Sequence, residues 1–125
     1  MTLELLKDQY SVYKFVPEYI ISENILSDEF YSITKTKDEL SVVAKTNLFN
    51  DFLEAENGWR ILKIKGLLDF NLIGVISKIS SLLADVNISI FVVSTFNTDY
   101  IMIKSENLEK TVDVLINNKY EIQLH

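Results

Sequence analysis

Thr95, Phe96, Asn97, Thr98 and Asp99 set two hydroxyls, an amide, a carboxylate and an aromatic ring in five consecutive positions between two apolar runs. A plain hairpin needs only two turn residues, usually Asn-Gly or Asp-Gly. This tip holds more hydrogen-bonding capacity than a chain reversal requires. Upstream, Asp69, Phe70, Asn71, Leu72 and Gly74 precede and open a long apolar-periodic stretch. The chemistry available to these groups is binding. Hydroxyls and carboxylates hold an ammonium, and the N–H groups at a helix start favour a carboxylate. A free amino acid carries both charges.

Other chemistries lack their residues. The chain of 125 residues has no cysteine, and its one histidine is His125, so thiolate sites, zinc sites and Ser-His triads are not expected. A phosphate-ester hydrolase on a small α+β scaffold needs an anion-binding arginine in a glycine-rich loop. The sole arginine, Arg60, lies in a strand-like run. Neither a metal nor a cofactor is expected. Residues 1–58 carry 5 Lys against 11 Asp+Glu, and residues 59–125 carry 7 Lys+Arg against 7 Asp+Glu, so the whole net charge of −6 lies in the first half. Nucleic acid would be repelled there, although Trp59, Phe91 and Tyr100 have stacking faces. No apolar run reaches membrane-spanning length and the start "MTLELLKDQY" lacks the basic flank of a signal peptide, which points to a cytoplasmic protein without membrane contact.

The elements that position these residues are legible from periodicity. "WRILKIK" (59–65) reads as a strand ending at Gly66. Leu72, Val75, Ile76, Ile79, Leu82, Leu83 and Val86 fall at helical spacing, with Asp69 or Asn71 to cap the start and Asn87 to end it. "ISIFVVST" (88–95) and "YIMIK" (100–104) are strands. Ser105 is expected to cap a second helix whose buried face is Leu108, Val112, Leu115 and Ile116, and "YEIQL" (120–124) is a last strand. The order β-α-β-β-α-β is the ferredoxin-like α+β arrangement.

The first half repeats this pattern in reduced form. "YSVYKFVP" (10–17) matches "WRILKIKG" (59–66), and "ELSVVAKTNL" (39–48) matches "DYIMIKSENL" (99–108). The space between them in the first copy leaves room for only a turn or two of helix, and "FLEAEN" is expected to add a short fourth strand. The expected domains are therefore a degenerate unit at 1–58 and a complete one at 59–125, in tandem. In "ISIFVVST", Ile88, Ile90 and Val92 point to one face, Phe91 and Val93 to the other. Helices cover only one face, so Phe91 and Val93 need cover from the other half or from a second subunit. Oligomerisation is expected.

Topology then locates the polar tip. The first strand of the second unit ends where its helix begins, and the next strand rises to Thr95 at the same end. The Gly66–Gly74 loop and the Thr95–Asp99 turn share one rim. Each residue also has a plain reading: Asp69 as a cap, Asn97 and Thr98 as turn formers, Asp99 as a solvated strand end, Phe96 as core cover, Gly74 as a point of close backbone approach.

The stretch "GWRILKIKGLLDFNLIGVISKISSLLADVNISIFVVSTFNTDYIMIK" resembles the ACT domains, and in particular small bacterial proteins with paired ACT units. It is similar to the regulatory ACT units of aspartate kinases and to eukaryotic cytosolic arginine sensors. The resemblance covers residues 59–123, and "EFYSITKTKDELSVV" extends it into the first half. It implies a non-enzymatic regulatory protein that binds an amino acid or similar metabolite between ACT units, as a homodimer and with a regulated protein partner. It selects Asp69, Phe70, Asn71, Leu72 and Gly74, then Ser94, Thr95, Phe96 and Asp99, as ligand contacts. Two departures stand out: the chain holds no catalytic domain, and its first unit offers Val16-Pro17-Glu18 where the family has a G-x-x-D loop. The alternative reading is a ligand-free dimerisation or interaction module.

Overall fold

The computed structural model describes residues 1–22, 25, 28–65 and 74–124. Its elements are β1 (Thr2–Leu5), β2 (Tyr10–Phe15), β3 (Ser32–Lys35), β4 (Leu40–Lys45), β5 (Glu54–Ile64), α1 (Val75–Ala84), β6 (Ile90–Ser94), β7 (Asp99–Lys104), α2 (Leu108–Asn117) and β8 (Glu121–Leu124). The α+β, ferredoxin-like reading holds. By contacts the chain forms two compact units, Asp8–Gly58 and Met1–Lys7 with Trp59–His125.

In the unit of residues 8–58, β4 pairs antiparallel with both β2 and β3. The first half of β5 lies along the other side of β2, where the Leu53 N–H donates to the Lys14 carbonyl at 2.8 Å. The expected short fourth strand "FLEAEN" is thus the opening of one 11-residue strand that runs on through Ile64. Gly58, at φ 82, interrupts the extended backbone midway. The core is aromatic. Tyr13, Phe15, Ile25, Leu40, Val42 and Ala44 are buried, and Tyr19, Phe49 and Phe52 pack against them. The Phe15 and Tyr19 rings stack at 4.0 Å between centroids.

In the other unit, β7 pairs antiparallel with β5 and β6. On the far side of β5 lies β1, antiparallel to it and parallel to β8. The N-terminal strand therefore sits between the first and last strands of the β-α-β-β-α-β unit, an insertion that residue pattern did not predict. Leu3, Leu5, Leu62, Ile64, Ile101 and Ile103 share the sheet face that meets Ile79, Leu83 and Leu115 from the helices. Burying each such side chain contributes about 1.5–3 kcal/mol.

Helix α1 follows its expected stripe: Ile79 and Leu83 are buried, and Val75, Ile76, Leu82 and Val86 pack around them. Leu72 lies outside the described residues. At the C-terminal end Asn87 adopts φ 62 and the Ile88 N–H reaches back to the Leu83 carbonyl at 2.9 Å, the left-handed closure expected of it.

Helix α2 departs from expectation twice. Ser105 is no cap: Ser105–Asn107 form a single 3-10 turn, and the Ser105 hydroxyl caps nothing. The buried positions are Thr111 and Leu115, with Leu108 and Val114 beside them, while Ile116 is 53% exposed. Val112 is half-buried like Leu108 and Val114, so Ile116 is the expected position that falls off the buried stripe. At the C-terminal end Lys119, at φ 71, supplies the left-handed residue, and the Asn118 side-chain amide donates to the Val114 carbonyl at 2.8 Å.

Candidate functional site

The hairpin between β6 and β7 is tighter than its five polar residues suggest. The Thr95 N–H donates to the Thr98 carbonyl at 2.8 Å, leaving Phe96 and Asn97 as the two tip residues. The Thr95 hydroxyl also donates to that carbonyl at 3.0 Å and accepts from the Thr98 N–H at 3.2 Å. A side-chain oxygen thus replaces the backbone acceptor that would close an ordinary two-residue turn. Much of the tip's hydrogen-bonding capacity goes into this closure.

Thr98, expected only as a turn former, does more. It is 4% exposed, and its hydroxyl donates to the Ile64 carbonyl at 2.8 Å. That bond pins the tip to the last residue of β5, immediately before the stretch that leads to α1. The buried carbonyl would otherwise lack a partner at the end of the ladder. Thr98 was not among the expected site residues, and nothing in its spacing marks it. Only the β5–β7 register, which pairs Lys63 with Tyr100, brings it there.

Ser94 and Asp99 are cross-strand partners. Strand alternation puts both on the face of Ile101 and Ile103, the side covered by the helices. Asp99 is half-buried and Ser94 exposed. Phe96 stands 83% exposed at the tip. Ser94, Thr95, Phe96 and Asp99 thus form one cluster around the end of the hairpin.

Gly74 lies at the start of α1 rather than inside it. It is the N-cap at φ 80, ψ 12, with no side-chain cap and no acidic residue in the first turn. A Cβ built there meets nothing within 4 Å, so glycine is needed for its left-handed backbone and not for close approach. Gly74 lines an open pocket of about 380 Å³ with Met1, Val75, Lys78, Asn118, Lys119 and Tyr120. Lys78 and Lys119 give this pocket a cationic border. None of Ser94, Thr95, Phe96 or Asp99 lines it. Asp69, Phe70, Asn71 and Leu72 lie outside the described residues. Among the described residues no group of three or more His, Cys, Asp and Glu converges as a metal site, and no helix is long and apolar enough to cross a membrane.

The β-α-β-β-α-β unit, its two helices packed on one face of the sheet, defines the ACT class of fold. The sequence model of the ACT domain matches residues 54–117, and a second model, of an N-terminal domain, matches residues 8–49. The chain belongs to the ACT-domain family. It is similar to a crystal structure of an Agobacterium tumefaciens protein, at 33% identity over 99% of this chain and 92% of that one, with a TM-score of 0.89. A Vibrio cholerae structure, titled as a protein of unknown function and possible transport protein, shares 16% identity over 93% of this chain and 88% of its own, at a TM-score of 0.71. The ligand-free regulatory subunit of aspartate kinase from Thermus thermophilus shares 9% identity over 94% of this chain and 97% of its own, at 0.64. Among curated proteins none matches.

Proposed function

We propose that the protein is a non-enzymatic regulator that binds a free amino acid at the rim of its residue 59–124 unit and passes the signal to a protein partner. One observation supports this most. The Ser94–Asp99 pair stands at the strand ends on the helix-covered face, on a tip tied to Ile64 by Thr98. On this reading Asp99 and Ser94 hold the ammonium, and the Gly74 end of α1 favours the carboxylate. Phe96 covers the apolar part of the ligand, and Thr95 keeps the tip in shape. Asp69, Phe70, Asn71 and Leu72 are proposed to complete the contacts. A ligand that binds one arrangement of the protein better than another shifts the population between them, and that differential affinity is the signal.

The test is thermal unfolding and calorimetry against the twenty amino acids singly. A ligand at about a hundred times its dissociation constant adds roughly 2.7 kcal/mol of stability. No shift with any amino acid, purine or pyrimidine defeats the proposal. A second reading, a ligand-free interaction module, draws on the internal satisfaction of the Thr95 and Thr98 hydroxyls. It expects no ligand shift at all.

A further inference from the structure

We propose that the unit of residues 8–58 docks an extended basic segment of a partner protein, with Lys or Arg at alternate positions, in an open groove bordered by Glu39, Glu54 and Glu56. This gives the partner of the regulatory reading above its chemistry, and it rests on that reading for the partner's role and not for the groove.

The face that carries the groove follows from strand register. Tyr13 pairs with Val42 and Phe15 with Leu40, and all four are buried in the aromatic core. Cross-strand partners share a face and neighbours alternate, so Val12, Lys14 and Ser41 lie on the opposite one. Ala55 packs against the core, which turns Glu54 and Glu56 to the side of Lys14. This face is open: the Lys14 and Glu54 side chains are 49% and 79% exposed. With Glu39, just before β4, these residues line a cavity of about 270 Å³. That falls short of the roughly 300–1,000 Å³ usual for a small-molecule site, and it suits side chains presented by a partner.

Charge complementarity selects a basic occupant. Residues 8–58 carry 10 Asp+Glu against 4 Lys, so the net charge of −6 belongs to this unit. In the groove a single lysine meets three carboxylates. Lys14 reaches Glu54 at 3.9 Å, and Glu39 is half-buried with no ion pair among the described residues. A carboxylate that loses hydration without gaining a counter-ion costs stability, and an incoming cation removes that cost. One metal ion does not fit, because among the described residues three carboxylates nowhere converge on a point. Glu54 and Glu56 stand two residues apart on one strand, about 6.5–7 Å, which is also the repeat of alternate side chains in an extended peptide. The spacing therefore matches a strand-like segment and not a compact cation.

The test titrates the full chain, without amino acid, with a fluorescent peptide of alternating lysine and serine, and reads anisotropy. The wild type should bind it saturably, and added salt should weaken the complex. Glu54→Gln with Glu56→Gln should lower affinity about tenfold. Glu18→Gln with Asp51→Asn removes the same charge from the same unit and should leave affinity within about twofold. Lys14→Gln should tighten binding by freeing Glu54. Lys35→Gln should not, because Lys35 pairs with the core-facing Leu40 and so lies on the other face. Absence of saturable peptide binding overturns the proposal. So does an equal loss in the two double variants, which would mean attraction to net charge alone. Displacement of the peptide by an equal concentration of spermine overturns it in favour of a free polyamine. Should the Glu54 and Glu56 variant fail to fold, the two lysine variants decide. With no amino acid present, a failed titration leaves the amino-acid site standing, and absence of any amino-acid shift leaves the groove standing.

Discussion

The Thr98 hydroxyl and the Ile64 carbonyl, 2.8 Å apart, tie the tip of the β6–β7 hairpin to the end of β5. Thirty-four positions separate the two in the chain. Replacing the hydroxyl with a methyl in Thr98→Val leaves a buried carbonyl without its donor, at a cost of about 1–3 kcal/mol. Urea denaturation should show that loss, and Thr98→Ser should recover most of it. Equal stability of the valine and threonine proteins would show that the bond contributes nothing.

Asp99 is half-buried at a strand end, and among the described residues no ion pair or side-chain hydrogen bond is built on it. Asp99→Ala should therefore change the melting temperature of the unliganded protein little, while removing any stabilisation by the proposed amino-acid ligand. Thermal scans with and without ligand separate the two effects. Retained ligand stabilisation in Asp99→Ala would exclude the carboxylate from the site.

Gly74 adopts φ 80 with open space where a side chain would stand. Gly74→Ala should cost about 1–2 kcal/mol, the strain of a left-handed alanine. Gly74→Asn should cost less, because asparagine tolerates that conformation. Unfolding curves of both variants check the order, and an alanine protein as stable as the wild type contradicts it.

The two faces of α2 should differ sharply. Leu115 is fully buried, and Leu115→Ala should cost about 2–5 kcal/mol through lost burial and the cavity it leaves. Ile116, the next residue, is exposed, and Ile116→Ala should stay within about 0.5 kcal/mol. Comparable losses at both positions would mean that the helix is rotated from the phase described.

Tyr19 donates to both carboxylate oxygens of Asp51 at 3.0 Å. Its phenol is pushed above the usual value of 10.0, first by burial, then by the hydrogen bond to Asp51 and by that carboxylate's charge. The folded chain holds the proton more tightly than the unfolded chain does. The resulting stability is complete below pH 10 and is lost as pH rises through the folded-state value. Tyr19→Phe should flatten the alkaline limb of a stability–pH profile and leave the neutral region's slope unchanged. An unaltered alkaline limb would assign that slope to other groups.

Much of the second unit was legible in residue order. The stripe from Val75 to Val86, the alternation of β6 and β7, and the left-handed turn at Asn87 follow from local sterics and apolar spacing. These act over a few neighbouring residues. The phase of α2 was not legible in this way. Thr111 and Leu115 are its buried positions and Ile116 is exposed, a choice made by what α2 packs against and not by apolar spacing alone.

What only the tertiary structure decided is which distant segments meet. Four residues, Thr2–Leu5, hold too little periodicity to declare a strand, yet they pair on one side with β5 and on the other with β8. Glu54–Ile64 carries two local patterns that read as separate strands, and pairing makes them one. Thr98 looks like any turn residue until the register of β5 and β7 brings the Ile64 carbonyl within reach of its hydroxyl. Local preference fixes the kind of element. The partner is chosen by the backbone groups and apolar surface left unsatisfied once all elements have formed, and that sum is taken over the whole chain.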